Sequence, residues 1–226
     1  MASAYTTEDG VALISLDDGK VNALGSAVIA ELQGHLDRAH QDGASAVVIT
    51  GRTGVLSAGF DLAEVRASTE AREQLRLRLI DLTLRLFELE CPVVVACTGH
   101  AMAAGAALLL VADRRLGVDG PYKLGFNEAS MGVAISGATV ELARYRMPMP
   151  YFESIVSGTT FPPLEAVAAG LLDRVVEDDA KLATESMETA RVLATVPRSA
   201  FSEMRRQARG EVAGRVRLER SRLESS

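Results

Sequence analysis

Short apolar runs alternate along the chain with longer segments in which apolar residues recur every three or four positions. Val11-Ala12-Leu13-Ile14-Ser15-Leu16-Asp17 is an apolar run closed by Asp18-Gly19 and predicts a strand. Ser26 to Gln41 carries Val28, Leu32, Leu36 and Ala39 at helical spacing, with Gly43 as a stop, and predicts a helix. Ala46 to Thr50 is a β-branched run and predicts a buried strand. Between Thr69 and Glu90, Leu75, Leu79, Leu82, Leu86 and Leu89 advance by alternate steps of four and three, the stripe of an amphipathic helix that Pro92 ends. Val93 to Cys97 is the next strand. The order strand, helix, strand, helix, strand predicts an α/β fold with crossover helices. After Pro150 the pattern is helical: Leu164 to Ala169, stopped by Gly170, then Ala180 to Ala194 and Ser199 to Leu223. We expect an α/β core over residues 1–178 and a helical, oligomerisation region over 179–226 that packs on the core or on another subunit.

Composition narrows the classes. The 226 residues are 48% hydrophobic and 24% charged, an ordinary balance for a globular protein with a sizeable core. No apolar run is long enough for a membrane span, and the N-terminus lacks a basic stretch followed by an apolar one, so a cytoplasmic protein without signal peptide or membrane contact is expected. A net charge of −6 argues against general nucleic-acid binding. From Pro197 onward, however, eight arginines stand against four glutamates. That segment reads as a solvated helix of mixed charge, or as a contact for phosphates or for a neighbouring subunit. Cys91 and Cys97 flank an extended run and are expected to be free buried thiols. The three histidines show no metal-ligand spacing, so no metal site is expected.

An internal echo bears on chemistry. Val47-Val48-Ile49-Thr50-Gly51 is followed by Ala58-Gly59 and a helical start at Phe60-Asp61-Leu62; Val94-Val95-Ala96-Cys97-Thr98-Gly99 is followed by Ala104-Gly105 and a helix over Ala106 to Ala112. Each reads as a strand, a small-residue turn and a helix start that offers unpaired N–H groups. Either turn alone could be chosen only for close packing. Two such ends brought together would stabilise negative charge developing on a carbonyl oxygen. The phosphate-loop, dinucleotide and nucleophile-elbow motifs are all missing.

Five segments, in order, resemble the crotonase (enoyl-CoA hydratase/isomerase) family over roughly residues 8–200. They are Lys20-Val21-Asn22-Ala23-Leu24, Ser57-Ala58-Gly59-Phe60-Asp61-Leu62, Gly99 to Leu108, Gly125-Phe126-Asn127-Glu128 and Ala168 to Val176. The resemblance implies a spiral of ββα units, a C-terminal helical region and a homotrimer or a pair of trimers. It also implies a coenzyme A thioester substrate with no permanently bound cofactor. Carried over by position, Glu128 is the catalytic carboxylate and the backbone N–H groups of Phe60 and Ala104 form an oxyanion hole. Ser57, Ala58, Asp61 and Lys20 are carried over as substrate contacts, Lys20 toward the CoA phosphates. Without the resemblance, Glu128 could simply cap the turn that follows it.

Two departures stand out. Ala107 occupies the position where family hydratases carry another glutamate, which favours a Δ3,Δ2-enoyl-CoA isomerase-type proton shuttle over hydration. Hydratase or other enolate chemistry, and a non-catalytic acyl-CoA binder or structural partner, are the alternatives. No carboxylate lies between Ala129 and Val140. Glu64 and Glu141, the latter expected to begin a helix, read as exposed helix residues. The C-terminal segment is also shorter than the family's, so either its arginines reach the CoA phosphates or the acyl pocket is open.

Overall fold

Alternate residues of the apolar strands face two different cores, and this period-two division sets the architecture. Val47, Ile49, Val93, Val95 and Cys97 lie in one buried cluster, whereas Ala46, Val48, Val94 and Ala96 lie in another. A strand buried on both faces needs cover on both, which is why its sequence is a continuous apolar run. The computed structural model describes residues 2–225, so the outermost residues of the two segments drawn above lie outside the described residues.

The elements run as follows. β1 (Ser3–Glu8) and β2 (Val11–Leu16) form a hairpin, and α1 (Ser26–Gln41) leads to β3 (Ala46–Thr50). Then come β4 (Gly54–Ser57), α2 (Leu62–Ala67) and α3 (Thr69–Glu88), and next β5 (Val93–Cys97), β6 (Gly99–Met102) and α4 (Ala104–Val111). β7 (Arg114–Val118) and β8 (Leu124–Gly125) precede a 3-10 turn at Ala129–Met131 and α5 (Gly137–Arg146). The remainder comprises α6 (Met149–Phe152), α7 (Ser154–Ser157), β9 (Thr160–Phe161), α8 (Pro163–Ala168), β10 (Arg174–Val176), α9 (Asp179–Ala194) and α10 (Arg198–Glu224).

One sheet has the order β1-β2-β3-β5-β7-β10, the other β4-β6-β8-β9. The chain therefore visits the first sheet, turns a corner into the second, and only then enters a helix. The first sheet is parallel apart from the β1–β2 hairpin, whose Asp9-Gly10 turn has both residues at positive φ. The corners stack on each other. A methyl group added at Gly99 would sit 2.1 Å from the carbonyl carbon of Gly54, so only glycine fits there.

α1 buries Ile29, Leu32, Leu36 and Ala39 on one side of the first sheet, and α9 covers the other with Leu182 and Ala190. α3 ends at Glu88 with Leu89 as its C-cap, and it buries Leu77, Ile80, Thr83 and Phe87 besides the expected leucine stripe. The wider burial has a cause in α10, which packs along both α3 and α5. Glu141 falls inside α5 rather than at its start, because Ser136 caps that helix through the N–H of Thr139.

The arginines of α10 all have partners within the chain. Arg205 and Arg209, four residues apart on one face, both meet Asp113, which also accepts the N–H of Val93 at 2.7 Å. The same guanidiniums cap helix carbonyls: Arg205 meets Leu89, and Arg209 reaches Phe87 at 3.0 Å and Val111 at 3.3 Å. Arg215 pairs with Glu141, Arg217 with Glu88 and Arg220 with Asp81, while Arg206 and Arg222 pair within the helix. No helix among the described residues is long and apolar enough to cross a membrane.

The side chains of Arg205, Arg209 and Asp113 are 4, 9 and 14% exposed, so removing the shared carboxylate strands two buried cations. Asp113→Ala is expected to lower stability by about 3–5 kcal/mol, read from the urea midpoint. Arg217→Ala, which breaks a surface pair, should change it by about 1 kcal/mol or less.

Candidate active site

The candidate site is the corner where the two echoed turns meet. Gly59 follows β4 with φ +104°, a conformation that suits glycine. A Cβ at that position would lie 3.0 Å from the Cβ of Ala103, 3.1 Å from the carbonyl oxygen of Met102 and 3.6 Å from the backbone nitrogen of Ala104. The two turns are therefore in van der Waals contact. Ala103, the N-cap of α4, has φ +52° and ψ −121°, an unusual state for an L-residue. Strain of this kind costs about 1–3 kcal/mol and persists only when neighbours enforce it. Here the N–H of Ala103 donates to Gly125 at 2.9 Å, while its carbonyl accepts from Ala106 and Ala107. The peptide between Ala103 and Ala104 is thus held on both sides.

Two donors are left over at this corner. The N–H of Ala104, at the first position of α4, has no intrahelical partner, and among the described residues the N–H of Phe60 donates to no protein group. Around Phe60 the flanking groups are all engaged: Leu24 donates to Gly59 at 2.8 Å and Asp61 to Leu24 at 3.3 Å. Asn22 explains how the N-terminal segment is held there. It is buried at positive φ, and its amide donates to Leu16, Val55 and Leu56 while accepting from Asp18. Burial pushes the carboxyl of Asp18 up, but the N–H groups of Asn22, Lys20 and Ala23 outweigh that and hold it below the usual range.

Glu128 approaches the same corner from β8. The register Met102↔Gly125 places Gly125 beside Ala103, and Glu128 follows three residues later. One of its carboxylate oxygens, Oε2, is buried without a hydrogen-bond partner. Burial pushes the carboxyl above the ordinary range, against the opposing influence of its own backbone N–H and of the Arg76 guanidinium. An unpartnered carboxylate of raised basicity, three residues beyond the strand residue that holds the Ala103 turn, together with two free N–H donors, can move a proton while charge collects on a bound carbonyl oxygen.

A family model described as "Enoyl-CoA hydratase/isomerase" matches residues 6–225. The chain belongs to this family. A probable enoyl-CoA hydratase, EchA17, of Mycobacterium tuberculosis is 33% identical over 187 residues, covering 79% of this chain and 69% of that protein. A solved Mycobacterium tuberculosis structure named as an enoyl-CoA isomerase superposes with TM-score 0.94 at 32% identity, covering 100% of this chain and 98% of that one. An enoyl-CoA hydratase/isomerase family protein from Pseudomonas syringae gives TM-score 0.95 at 36% identity, covering 98 and 96%. The relatives' names thus divide between hydratase and isomerase.

The Ser57 side chain is fully buried and its hydroxyl accepts the N–H of Gly59 at 3.2 Å, so it braces the turn. Ala58 is exposed. Asp61 caps α2 through the N–H of Ala63 at 2.8 Å. Lys20 is exposed, and its carbonyl accepts from Arg52. Ala107 lies one turn into α4 and is 1% exposed. The spare carboxylates are engaged elsewhere. Glu64 accepts both the N–H and the hydroxyl of Ser26, capping α1, whose own N-cap residue is Gly25. Glu141 faces Arg215 and Arg144. The Nδ1 of His100 accepts the N–H of Lys123, and both cysteines are free, with burial pushing the Cys97 thiol up to about 12.

Sequence reasoning missed Ala103 and Gly59 as a contacting pair, and Arg76 altogether. The glycine-rich character of the family's second signature was the available signal for Ala103; Arg76 carried none beyond its place on α3. Gly59→Ala is expected to destabilise the protein by about 1–3 kcal/mol through its φ alone. Ala103→Gly, which relieves the positive-φ strain at that position, should leave stability equal or higher. Thermal unfolding of the two variants checks the pair.

Proposed function

We propose that this protein is a Δ3,Δ2-enoyl-CoA isomerase-type enzyme in which Glu128 is the single acid/base. The carboxylate takes a proton from carbon 2 of a 3-enoyl thioester. The electron pair left there delocalises toward the thioester oxygen, which the Phe60 and Ala104 N–H groups receive. The double bond then re-forms between carbons 2 and 3 as Glu128 returns the proton to carbon 4, so the reaction consumes neither water nor cofactor. The observation that carries this reading is the buried, unpartnered Glu128 oxygen, in a chain whose residue 107 is alanine and whose Glu64 and Glu141 are committed to other partners. Hydration asks for water activation and proton delivery at once, work that two carboxylates share more readily than one.

The same reading takes the substrate as an acyl-CoA thioester and Ala58 and Lys20, both exposed, as its contacts outside the corner. It places the protein in the cytoplasm. Assembly as a homotrimer or a pair of trimers accords with the exposed apolar residues Met149, Val156 and Leu164 on the short helices α6, α7 and α8.

The test is isomerisation of a 3-enoyl-CoA to the 2-enoyl product, with hydration of 2-enoyl-CoA followed in parallel. Glu128→Gln should lower isomerisation by about 10²–10⁴-fold. Hydration faster than isomerisation in the wild type would overturn the assignment. A second expectation follows from linkage. Because the native carboxyl is raised, the unfolded chain gives up its proton first as pH climbs past about 4.3, and stability falls across that window until the native group also ionises. Glu128→Gln should therefore be more stable than wild type at pH 7, with the difference vanishing as the pH is lowered toward about 4. Denaturant titrations across pH check it.

A further inference from the structure

The segment from Ala129 to Ala134 is exposed and held mostly by its own backbone. Met131 and Val133 donate to Glu128, and Ser130 donates to Asn127 with both its N–H and its hydroxyl. Among the described residues, the side-chain bond that fastens its far end to a different element is Arg76 Nη2 to the carbonyl of Ala134 at 2.8 Å. Arg76 stands on α3, 21% exposed, and its other terminal nitrogen, Nη1, meets Glu73 at 3.0 and 3.3 Å. Glu73 also faces Arg72 at 3.5 Å. The loop that begins at Glu128 is therefore closed by a guanidinium whose charge is partly balanced by a carboxylate one turn away on its own helix.

We propose that Arg76 is a positioning residue for Glu128, and that the Arg76–Glu73 pair grades the positive field felt by that carboxyl while Arg76 holds the loop's far end on α3. The charged group acting on Glu128 is Arg76; its pull favours the carboxylate and opposes the burial that favours the acid. Glu73 weakens that pull. Glu128 can in this way be buried enough to be basic and still ionise. Glu73 is thus a tuning group one residue removed from the reacting atoms, and α3 is more than a wall of the core. The inference deepens the isomerase reading and, as far as turnover is concerned, rests on it.

The two partners make opposite predictions. Without Arg76 the Glu128 carboxyl loses its stabilising cation and should titrate higher; without Glu73 the cation is unopposed and Glu128 should titrate lower. A merely structural clamp would loosen the loop in both variants and move the carboxyl the same way.

The experiment is a ¹³C NMR titration of the full chain labelled at the glutamate side-chain carboxyl, with the Glu128 signal assigned by its loss in Glu128→Gln. Arg76→Met should raise the Glu128 midpoint and Glu73→Gln lower it, each by roughly half a pH unit or more, and Arg76→Lys should restore most of the shift. The acid limb of kcat/KM should move with each midpoint. Shifts in one direction for both variants, or no shift in either, would overturn the proposal. Should Arg76→Met fail to fold, Glu73→Gln still decides the sign, since a midpoint that does not fall in that variant refutes the proposal. The midpoint is read without substrate, so inactivity toward 3-enoyl-CoA with the expected opposite shifts would overturn the isomerase reading and leave the Arg76–Glu73 pair standing.

Discussion

The contact between Gly59 and Ala103 is the constraint on which the rest of the site depends. Two turns can touch at that distance only if one of them lacks a side chain and the strands leading into both run side by side. The second condition is met by β4 and β6, which pair in parallel, and those strands can pair only because β3 and β5 are neighbours in the other sheet. The corner glycines then allow each chain to pass between sheets. Once the turns are in contact, the carbonyl and N–H groups around them are claimed one after another by Asn22, Leu24 and Gly125, until two adjacent N–H groups are left without a partner. The unpaired donors follow from how fully everything else is paired.

Buried charge elsewhere in the molecule obeys the same accounting. Helix C-termini that run into the core present carbonyls with no intrahelical donor. In this protein guanidiniums supply the missing donors: Arg205 and Arg209 at the ends of α3 and α4, and Arg146 at Leu110 and Ala112. Asp113 neutralises two of them while bonding the start of β5. A cluster like this adds little net stability compared with an apolar replacement, but it tolerates no wrong docking of α10, since any shift would strand a buried charge. That accounts for the arginine-rich C-terminal segment without invoking phosphates.

The fold was legible where one period dominates. α1, β3 and β5 have the bounds their sequence patterns predict, because each is either a helical stripe or a run buried on both faces; within α1 the buried stripe starts at Ile29 rather than Val28. The second sheet was not legible: β4, β6 and β8 are two to four residues long and rich in glycine, and what read as small-residue turns are strands held by lateral pairing. β1 was hidden for a different reason. Its polar residues suit an edge strand, and only the Asp9-Gly10 pair announced the hairpin. At the candidate site, the motif residues Phe60, Ala104 and Glu128 were found through family resemblance. Side-chain commitments such as Glu64 on Ser26 or Ser57 on Gly59 depend on contacts between distant segments and leave no local trace.

Those commitments bear on the choice of chemistry more than the family does. Oxygen-bearing side chains near the corner are numerous, yet most of them terminate a helix or brace a turn: Ser57 at Gly59, Asp61 at α2, Glu64 at α1. A carboxylate engaged by N–H or O–H donors is already committed as an acceptor, and taking up a proton would forfeit one of those bonds. Glu128 differs in having one oxygen that is buried and unpaired. Its desolvation brings the acid and the carboxylate closer in free energy, as a group that must both take and return a proton requires. In the proposed reaction, with a methyl group at residue 107, Glu128 would do this work alone, the same carboxyl removing the proton and giving it back. A single ambivalent carboxyl suits transfer between two carbons of one substrate better than the coordinated addition of water, and this is the physical ground on which we propose the isomerase reading within its family.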